Sequence, residues 1–309
     1  MKIDGVFSGG GIKGFALIGA VKSIEERGFT FERVAGTSAG SIISAFISAG
    51  YSSDEMLQIM NETEFTELLD PSLQLIPGPV GKWLSIYFQL GLYKGKALEK
   101  WLNTKLNNRG IYTFKDLPKD SLRVVASNLS TGRMLILPDD LEKYGRSQSD
   151  FSVARAIRMS CAIPYFFQPV KLKTDKTIDY IVDGGVLSSF PMWLFDSDNV
   201  KKIRPVLGIK LNYSYTQQER NTIKNAIQMF GALFETMKEA HDARYVSRKH
   251  EKNIIFIPIE DILTTQFAIT EEQKIPLLNK GTTKPSNFLR NGLIKGRGYF
   301  FAFFTFNDS

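Results

Sequence analysis

Cysteine is nearly absent, histidine is scarce and long apolar runs are missing. The 309 residues hold one cysteine, Cys161, and two histidines, His241 and His250. A single cysteine excludes an internal disulfide and fits a reducing compartment. Its neighbours Ser160 and Ala162 supply neither a glycine turn nor a histidine, which argues against a cysteine nucleophile. Two histidines outside any H-x-x-x-H spacing leave a metal site without ligands, so neither metal nor cofactor is expected. No apolar run reaches the roughly 20 residues of a membrane-spanning helix. The opening Lys2-Ile3-Asp4-Gly5 lacks the basic and apolar pattern of a signal sequence, so the expected location is cytoplasmic. Net charge is +7, but the Lys and Arg residues are scattered and no nucleic-acid module is present. The balance therefore reads as solubility, with mild attraction to an anionic membrane surface as the sharper alternative.

What is present concentrates in the first 50 residues. Lys2 to Phe7 is a short apolar run with the length of a buried strand, and Ser8-Gly9-Gly10-Gly11-Ile12-Lys13-Gly14 follows it. Leu17, Ile18, Val21 and Ile24 then recur at helical spacing until Gly28 stops the helix. Phe29 to Ala35 reads as a second strand and Ala39 to Ala49 as a second helix. Between them stands Gly36-Thr37-Ser38-Ala39-Gly40, a G-x-S-x-G sequence. On a strand-to-helix turn this pattern exposes the serine hydroxyl above the sheet. Alone it equally suits a plain turn with Ser38 as N-cap.

The glycine turn has two readings. Consecutive glycines at a helix N-terminus leave N–H groups open to a phosphate or an oxyanion. Gly9 to Gly14 also match G-x-G-x-x-G, so a dinucleotide-binding oxidoreductase is the runner-up. That reading wants an acidic residue at the end of the second strand; the chain has Val34-Ala35-Gly36 there, with Glu32 too early. A G-x-x-x-x-G-K-[ST] loop is also missing, because Trp83 follows Gly81-Lys82.

Further along, Ser53 to Leu69 reads as a helix capped by Ser52, Ser53 or Asp54. Trp83 to Leu90 is bulky and apolar. It is read as a buried helix in preference to a cap helix at the mouth of an acyl pocket. Ala97 to Leu106 is amphipathic. Leu122 to Ser127 and Met134 to Leu137 read as strands, Ser152 to Met159 as a short helix. The cluster Tyr165-Phe166-Phe167 suits either a core or the wall of an apolar channel. Thr177 to Val182 is a strand running into Asp183-Gly184-Gly185, which taken alone is more often a turn-forming Asx than a site. Pro205 to Leu211 and Ile254 to Ile259 are strands. Asn221 to Arg248 is a long helix whose apolar stripe continues to His241. Thr270 to Lys280 starts a last helix, which Pro285, Gly292, Gly296 and Gly298 are expected to interrupt. The aromatic end, Tyr299 to Phe306, suits a strand, an unsettled tail or a membrane-surface anchor. No repeat or linker divides the chain, so one domain over residues 1–309 is expected, with an atypical tail from about 281.

Taken together, Ser38, the turn Gly9-Gly10-Gly11 and Asp183 form an acyl-transfer set if the fold brings them together. Ser38 would be the nucleophile, Asp183 the base, and the glycine N–H groups the oxyanion hole. No histidine is needed if the carboxylate meets the hydroxyl directly. The turn GGGIKG, the elbow GTSAG, the DGG and the stretch from Ser160 to Pro169 resemble the patatin-like phospholipases, over roughly Lys2 to Leu278. The resemblance implies a three-layer α/β/α fold with a mainly parallel sheet and a small helical cap. It implies a Ser38–Asp183 dyad, an oxyanion hole at Gly9, Gly10 and Gly11, and hydrolysis of phospholipid or another fatty acyl ester at a transiently visited membrane. Lys13 takes the basic position of the glycine motif, where it would meet a phosphate headgroup or a local carboxylate. A lipid-binding module without catalysis is the remaining alternative. The chain departs from the family at Ser8, where many plant members have Asp. It departs again at Val186-Leu187-Ser188-Ser189-Phe190-Pro191, where an Asn often precedes the Pro segment.

Overall fold

The computed structural model describes residues 1–72, 78–174, 177–195, 204–213, 223, 229, 231–238, 253–259 and 269–295. Strand β1 (Lys2–Phe7) leads through the glycine turn into helix α1 (Gly14–Glu25). Strand β2 (Thr30–Thr37) leads through Ser38 into α2 (Ala39–Ser48). Helix α3 (Ser53–Asn61) starts on a capping box. Ser52 Oγ accepts from Glu55 N–H, and the Glu55 carboxylate accepts from Ser52 N–H. It ends eight residues earlier than its apolar pattern suggests; Phe65–Leu68 form a separate 3₁₀ turn. Then come α4 (Pro79–Gln89), β3 (Gly91–Tyr93), α5 (Lys96–Asn107), β4 (Leu122–Asn128), β5 (Arg133–Leu137) and α6 (Val153–Ser160). Strands β6 (Tyr165–Phe167), β7 (Val170–Lys173) and β8 (Ile178–Asp183) follow, then β9 (Val206–Tyr213), β10 (Ile254–Ile259) and helix α7 (Glu271–Lys295).

Among the described residues the main sheet has eight strands. β10, β9, β1, β2 and β4 run parallel in that order; β5 and β8 pair antiparallel with β4, and β7 borders β8. Side chains alternate between two cores, as the period of two requires. Ile3, Phe7, Leu207 and Ile209 face the larger core under the helices. Val6, Ala35, Val206 and Ile254 face a smaller one closed by Phe190, Met192 and Phe195. β3 and β6 form a separate two-stranded sheet beside α4 and α5, outside the main sheet. This is the mixed α/β architecture with a mostly parallel sheet that the motifs imply.

Two expectations are corrected. Helix α7 runs unbroken to Lys295, through Pro276, Gly281, Pro285 and Gly292. The reason is a close crossing with α1. A Cβ on Gly281 would lie 2.2 Å from the Ala16 carbonyl oxygen, and one on Gly19 2.5 Å from that of Leu278. Gly19 and Gly281 are what let the two backbones touch, and packing outweighs their propensity cost of about 1 kcal/mol each. The second correction is α4. Tyr87 and Phe88 are each 73% exposed and Leu84 is 38% exposed, so this helix is not buried on all sides. The three-residue strands β3 and β6 are too short to show a period; β7 alternates buried Val170 and Leu172 with exposed Lys171 and Lys173. The aromatic stretch Tyr299–Phe306, both histidines and most of the expected helix Asn221–Arg248 lie outside the described residues. Of that helix, residues 231–238 are helical and Phe234 is buried.

Candidate active site

Strand β4 acts as a ruler that brings Ser38 and Asp183 together. β2 runs parallel to it and ends with Thr37 opposite Val125. β8 runs antiparallel along the same edge and ends with Asp183 opposite Ala126. Val125 and Ala126 are consecutive, so the C-terminal ends of two strands meet head-on about one residue rise apart, ~3.3 Å. Ser38 leaves the end of one and Asp183 terminates the other. The glycines around them are steric requirements. A Cβ on Gly184 would sit 2.3 Å from the Val125 carbonyl oxygen and 2.8 Å from Thr37 Cγ2. One on Gly36 would meet the Gly40 carbonyl at 2.3 Å, and one on Gly40 the Phe7 carbonyl oxygen at 2.3 Å.

Ser38 has φ 53° and ψ −126°, a left-handed conformation that costs a non-glycine residue about 1–3 kcal/mol. The surroundings hold it there. Its carbonyl accepts from Ser41 N–H at 2.8 Å and from Ser41 Oγ at 2.6 Å. Its N–H donates to Ser160 Oγ at 2.9 Å, and Ser160 Oγ donates in turn to the Val125 carbonyl at 2.6 Å. Ser160 is fully buried. It thus ties the elbow to the ruler strand, a role that its place at the head of the Ser160–Pro169 stretch does not reveal in the sequence. Ser160→Ala leaves a buried donor and a buried acceptor unpaired, each worth about 1–3 kcal/mol. The expected result is a Tm lower by several degrees and, per folded molecule, a kcat that falls while KM holds. An unchanged melt and kcat would show that Ser160 does not hold the elbow.

Asp183 is 1% exposed. Its Oδ1 accepts from Gly185 N–H at 2.7 Å, while Oδ2 has no hydrogen bond of standard geometry. Burial pushes its pKa up to about 6. The Gly185 N–H, the nearby Ser38 hydroxyl and the Lys238 ammonium pull it back down; Glu235 pushes it up. The helical segment 231–238 supplies those two charges. It also brings Phe234 Cζ within 3.2 Å of where a Cβ on Gly185 would stand. Asp183 is therefore a carboxylate near its titration point, with one oxygen unoccupied beside a serine hydroxyl.

In the glycine turn, Gly9 N–H donates to the Ser189 carbonyl at 2.9 Å. Among the described residues nothing accepts from the N–H of Gly10 or Gly11, so of the three expected oxyanion donors these two are open. The unusual Ser188-Ser189 segment serves as support. Thr37 Oγ1 donates to the Ser188 carbonyl at 2.9 Å, and Trp193 Nε1 to Ser188 Oγ at 3.1 Å. Lys13 is 2% exposed, beside the turn; a headgroup would have to enter the turn to reach it. Glu32, the nearest acid to the place of a ribose-binding carboxylate, is paired with Lys2 at the opposite end of β2.

An apolar pocket of about 60 Å³, open to solvent, leads off from Ser38 and Gly11. Ile43, Met60, Leu98, Trp101, Ile163 and Phe167 are among its walls. Phe167 thus serves as both core and channel wall. Cys161 also lines the cavity. Burial raises its thiol to about 12, which keeps it protonated and a poor rival to Ser38.

The family model for patatin-like phospholipases matches residues 5–196. The chain belongs to the patatin-like phospholipase family. It is 51% identical over 290 residues to the uncharacterized protein YqhO of Bacillus subtilis, covering 94% of this chain and 99% of that one. It is 24% identical to the probable lipid hydrolase 463L of Invertebrate iridescent virus 6, covering 93% and 91%. Among solved structures, VipD from Legionella pneumophila superposes with a TM-score of 0.56 at 17% identity, over 94% of this chain and 67% of that one, a likeness of fold. No described helix is long and apolar enough to cross a membrane.

Proposed function

We propose that this protein is a serine lipid acyl hydrolase, of phospholipase A or esterase type, working through Ser38 and Asp183. The observation that carries the reading is the junction on β4. It sets a strained serine beside a buried carboxylate with one free oxygen, at the head of a pocket with apolar walls. The family match and the name of the viral relative support the same chemistry.

The reaction follows from the groups present. Ser38 Oγ attacks the ester carbonyl carbon as its proton passes to Asp183 Oδ2. The carbonyl oxygen becomes an oxyanion facing the N–H groups of Gly10 and Gly11, at the N-terminal end of the first helix, where partial positive charge accumulates. Collapse breaks the ester bond, and Asp183 returns the proton to the departing alkoxide oxygen. Water then attacks the acyl-Ser38 carbonyl, giving its proton to Asp183; release of the fatty acid restores Ser38 with that proton. The carboxylate alternates between base and acid, a role suited by a pKa near 6.

A fluorophosphonate probe is expected to label the wild type at Ser38 and to leave Ser38→Ala unlabelled. Absence of labelling in folded wild-type protein would favour a lipid-binding module without catalysis.

A further inference from the structure

We infer that the outer face of α4, together with Tyr165, is the surface by which this protein docks on an anionic phospholipid bilayer. The inference rests on the hydrolase reading only for why a bilayer is visited.

Among the described residues, five apolar side chains stand out to solvent here. Tyr87 and Phe88 are 73% exposed, with their rings in edge contact at 4.9 Å. Leu84 is 38% exposed, Leu90 39% and Tyr165 48%. Leu90 and Tyr165 belong to one patch because Gly91, next to Leu90, pairs with Tyr165 across the two-stranded sheet. Leu90 and Tyr165 also adopt positive φ, 60° in each case, a strained backbone for bulky residues. A fold that accepts that strain while leaving both side chains in water gains nothing from burial there.

The patch adjoins the cavity. Ile163 lines the cavity, and two residues on is exposed Tyr165; Phe167, on the same strand, lines the cavity again. Gln168 Nε2 ties the end of α4 to this strand by a 3.1 Å bond to Gln89 Oε1. An acyl chain lifted from a bilayer under α4 would therefore start beside the cavity walls.

Charge selects the occupant. From Pro71 to Leu98 the chain carries no Asp or Glu, although it has 32 of them among 309 residues. The same stretch carries Lys82, Lys94 and Lys96, all exposed. Exposed aromatic side chains on a stretch of chain that carries lysines and no acid suit the headgroup region of an anionic leaflet. A partner protein with an ordinary mixed surface would not call for the exclusion of one sign of charge.

The test uses the full chain carrying Ser38→Ala, so that vesicles stay intact, in co-sedimentation with phosphatidylglycerol–phosphatidylcholine vesicles. Tyr87→Ser/Phe88→Ser is expected to weaken binding roughly 30-fold, with an unchanged melt, since each ring loses its apolar insertion. Tyr165→Ser, on a different element, is expected to weaken it about 5-fold. Pure phosphatidylcholine vesicles are expected to bind far less than the anionic ones. In the Ser38 background the double variant is expected to hydrolyse a short soluble ester at the wild-type rate. The proposal is overturned if the parent binds no anionic vesicles or binds both vesicle types alike. It is also overturned if the variants bind as well as the parent, or if the patch instead holds a dimer that the double variant dissolves without changing vesicle binding. Vesicle binding by a wild type that hydrolyses no ester would refute the hydrolase reading and leave the docking surface standing.

Discussion

Ser38→Ala and Asp183→Asn are each expected to lower ester hydrolysis by about 10⁴-fold or more, with the fold intact. Serine and carboxylate act as one unit, since the attack needs both the hydroxyl and the oxygen that takes its proton. The double variant should therefore lose little beyond either single one. A double variant whose loss is the product of the two single losses would break the dyad. Because Asp183 must be ionised to accept the proton, kcat/KM on a soluble ester should rise with pH to a midpoint near 6 and then level off. A rate independent of pH between 5 and 8 would count against Asp183 as the base.

The same burial predicts a stability effect of opposite sign. In the unfolded chain the carboxyl has its ordinary low pKa; in the fold it is raised to about 6. A raised carboxyl pKa means that stability is fullest below the unfolded value and falls as pH rises through the folded one. At pH 7.5 the charged Asp183 therefore costs stability, on the order of 3 kcal/mol. Asp183→Asn removes that cost and can still accept from Gly185 N–H. The inactive variant is expected to melt several degrees above the wild type at pH 7.5, with the gap closing towards pH 4.5. A gap that does not narrow would mean that the charge is not the source of the strain.

Gly184→Ala should be among the most damaging single methyl groups near the site. Its Cβ would meet the Val125 carbonyl at 2.3 Å, and a backbone oxygen in a sheet has nowhere to turn. Relief requires β8 to move off β4, which carries Asp183 away from Ser38. The expected outcome is a loss of about 3 kcal/mol, a Tm lower by roughly 5–10 °C, and at least 100-fold lower activity per folded molecule. Gly9→Ala is the contrast. Its nearest non-neighbour atoms lie at 3.4 Å, ordinary contact, and its N–H is already engaged by Ser189. It should fold normally and keep activity within about tenfold. If the two variants behaved alike, steric exclusion at the β2–β8 junction would not be what fixes Gly184.

The sequence alone determined the parts that are local. Strands such as β10, helices such as α5, and the strand–glycine–helix and strand–serine–helix turns follow from periodicity and from residues with few permitted conformations; Ser38, Asp183, Gly10 and Gly11 are singled out as candidates by their motifs taken together and by the family resemblance. Tertiary structure decided the rest, because the deciding contacts join positions far apart in the chain. Ser38 and Asp183 are 145 residues apart, and only the register of two strands on β4 sets them side by side. Ser160, 122 residues from Ser38, is legible as the first residue of the family-like stretch and not as the pin of the elbow. Gly281 reads as the start of an atypical tail until α1 is laid against it, and Tyr87 and Phe88 read as core until nothing described covers them. Local conformation is a property of a few neighbouring residues; which face is buried, and which glycine is crowded, depends on what the chain brings back from a distance.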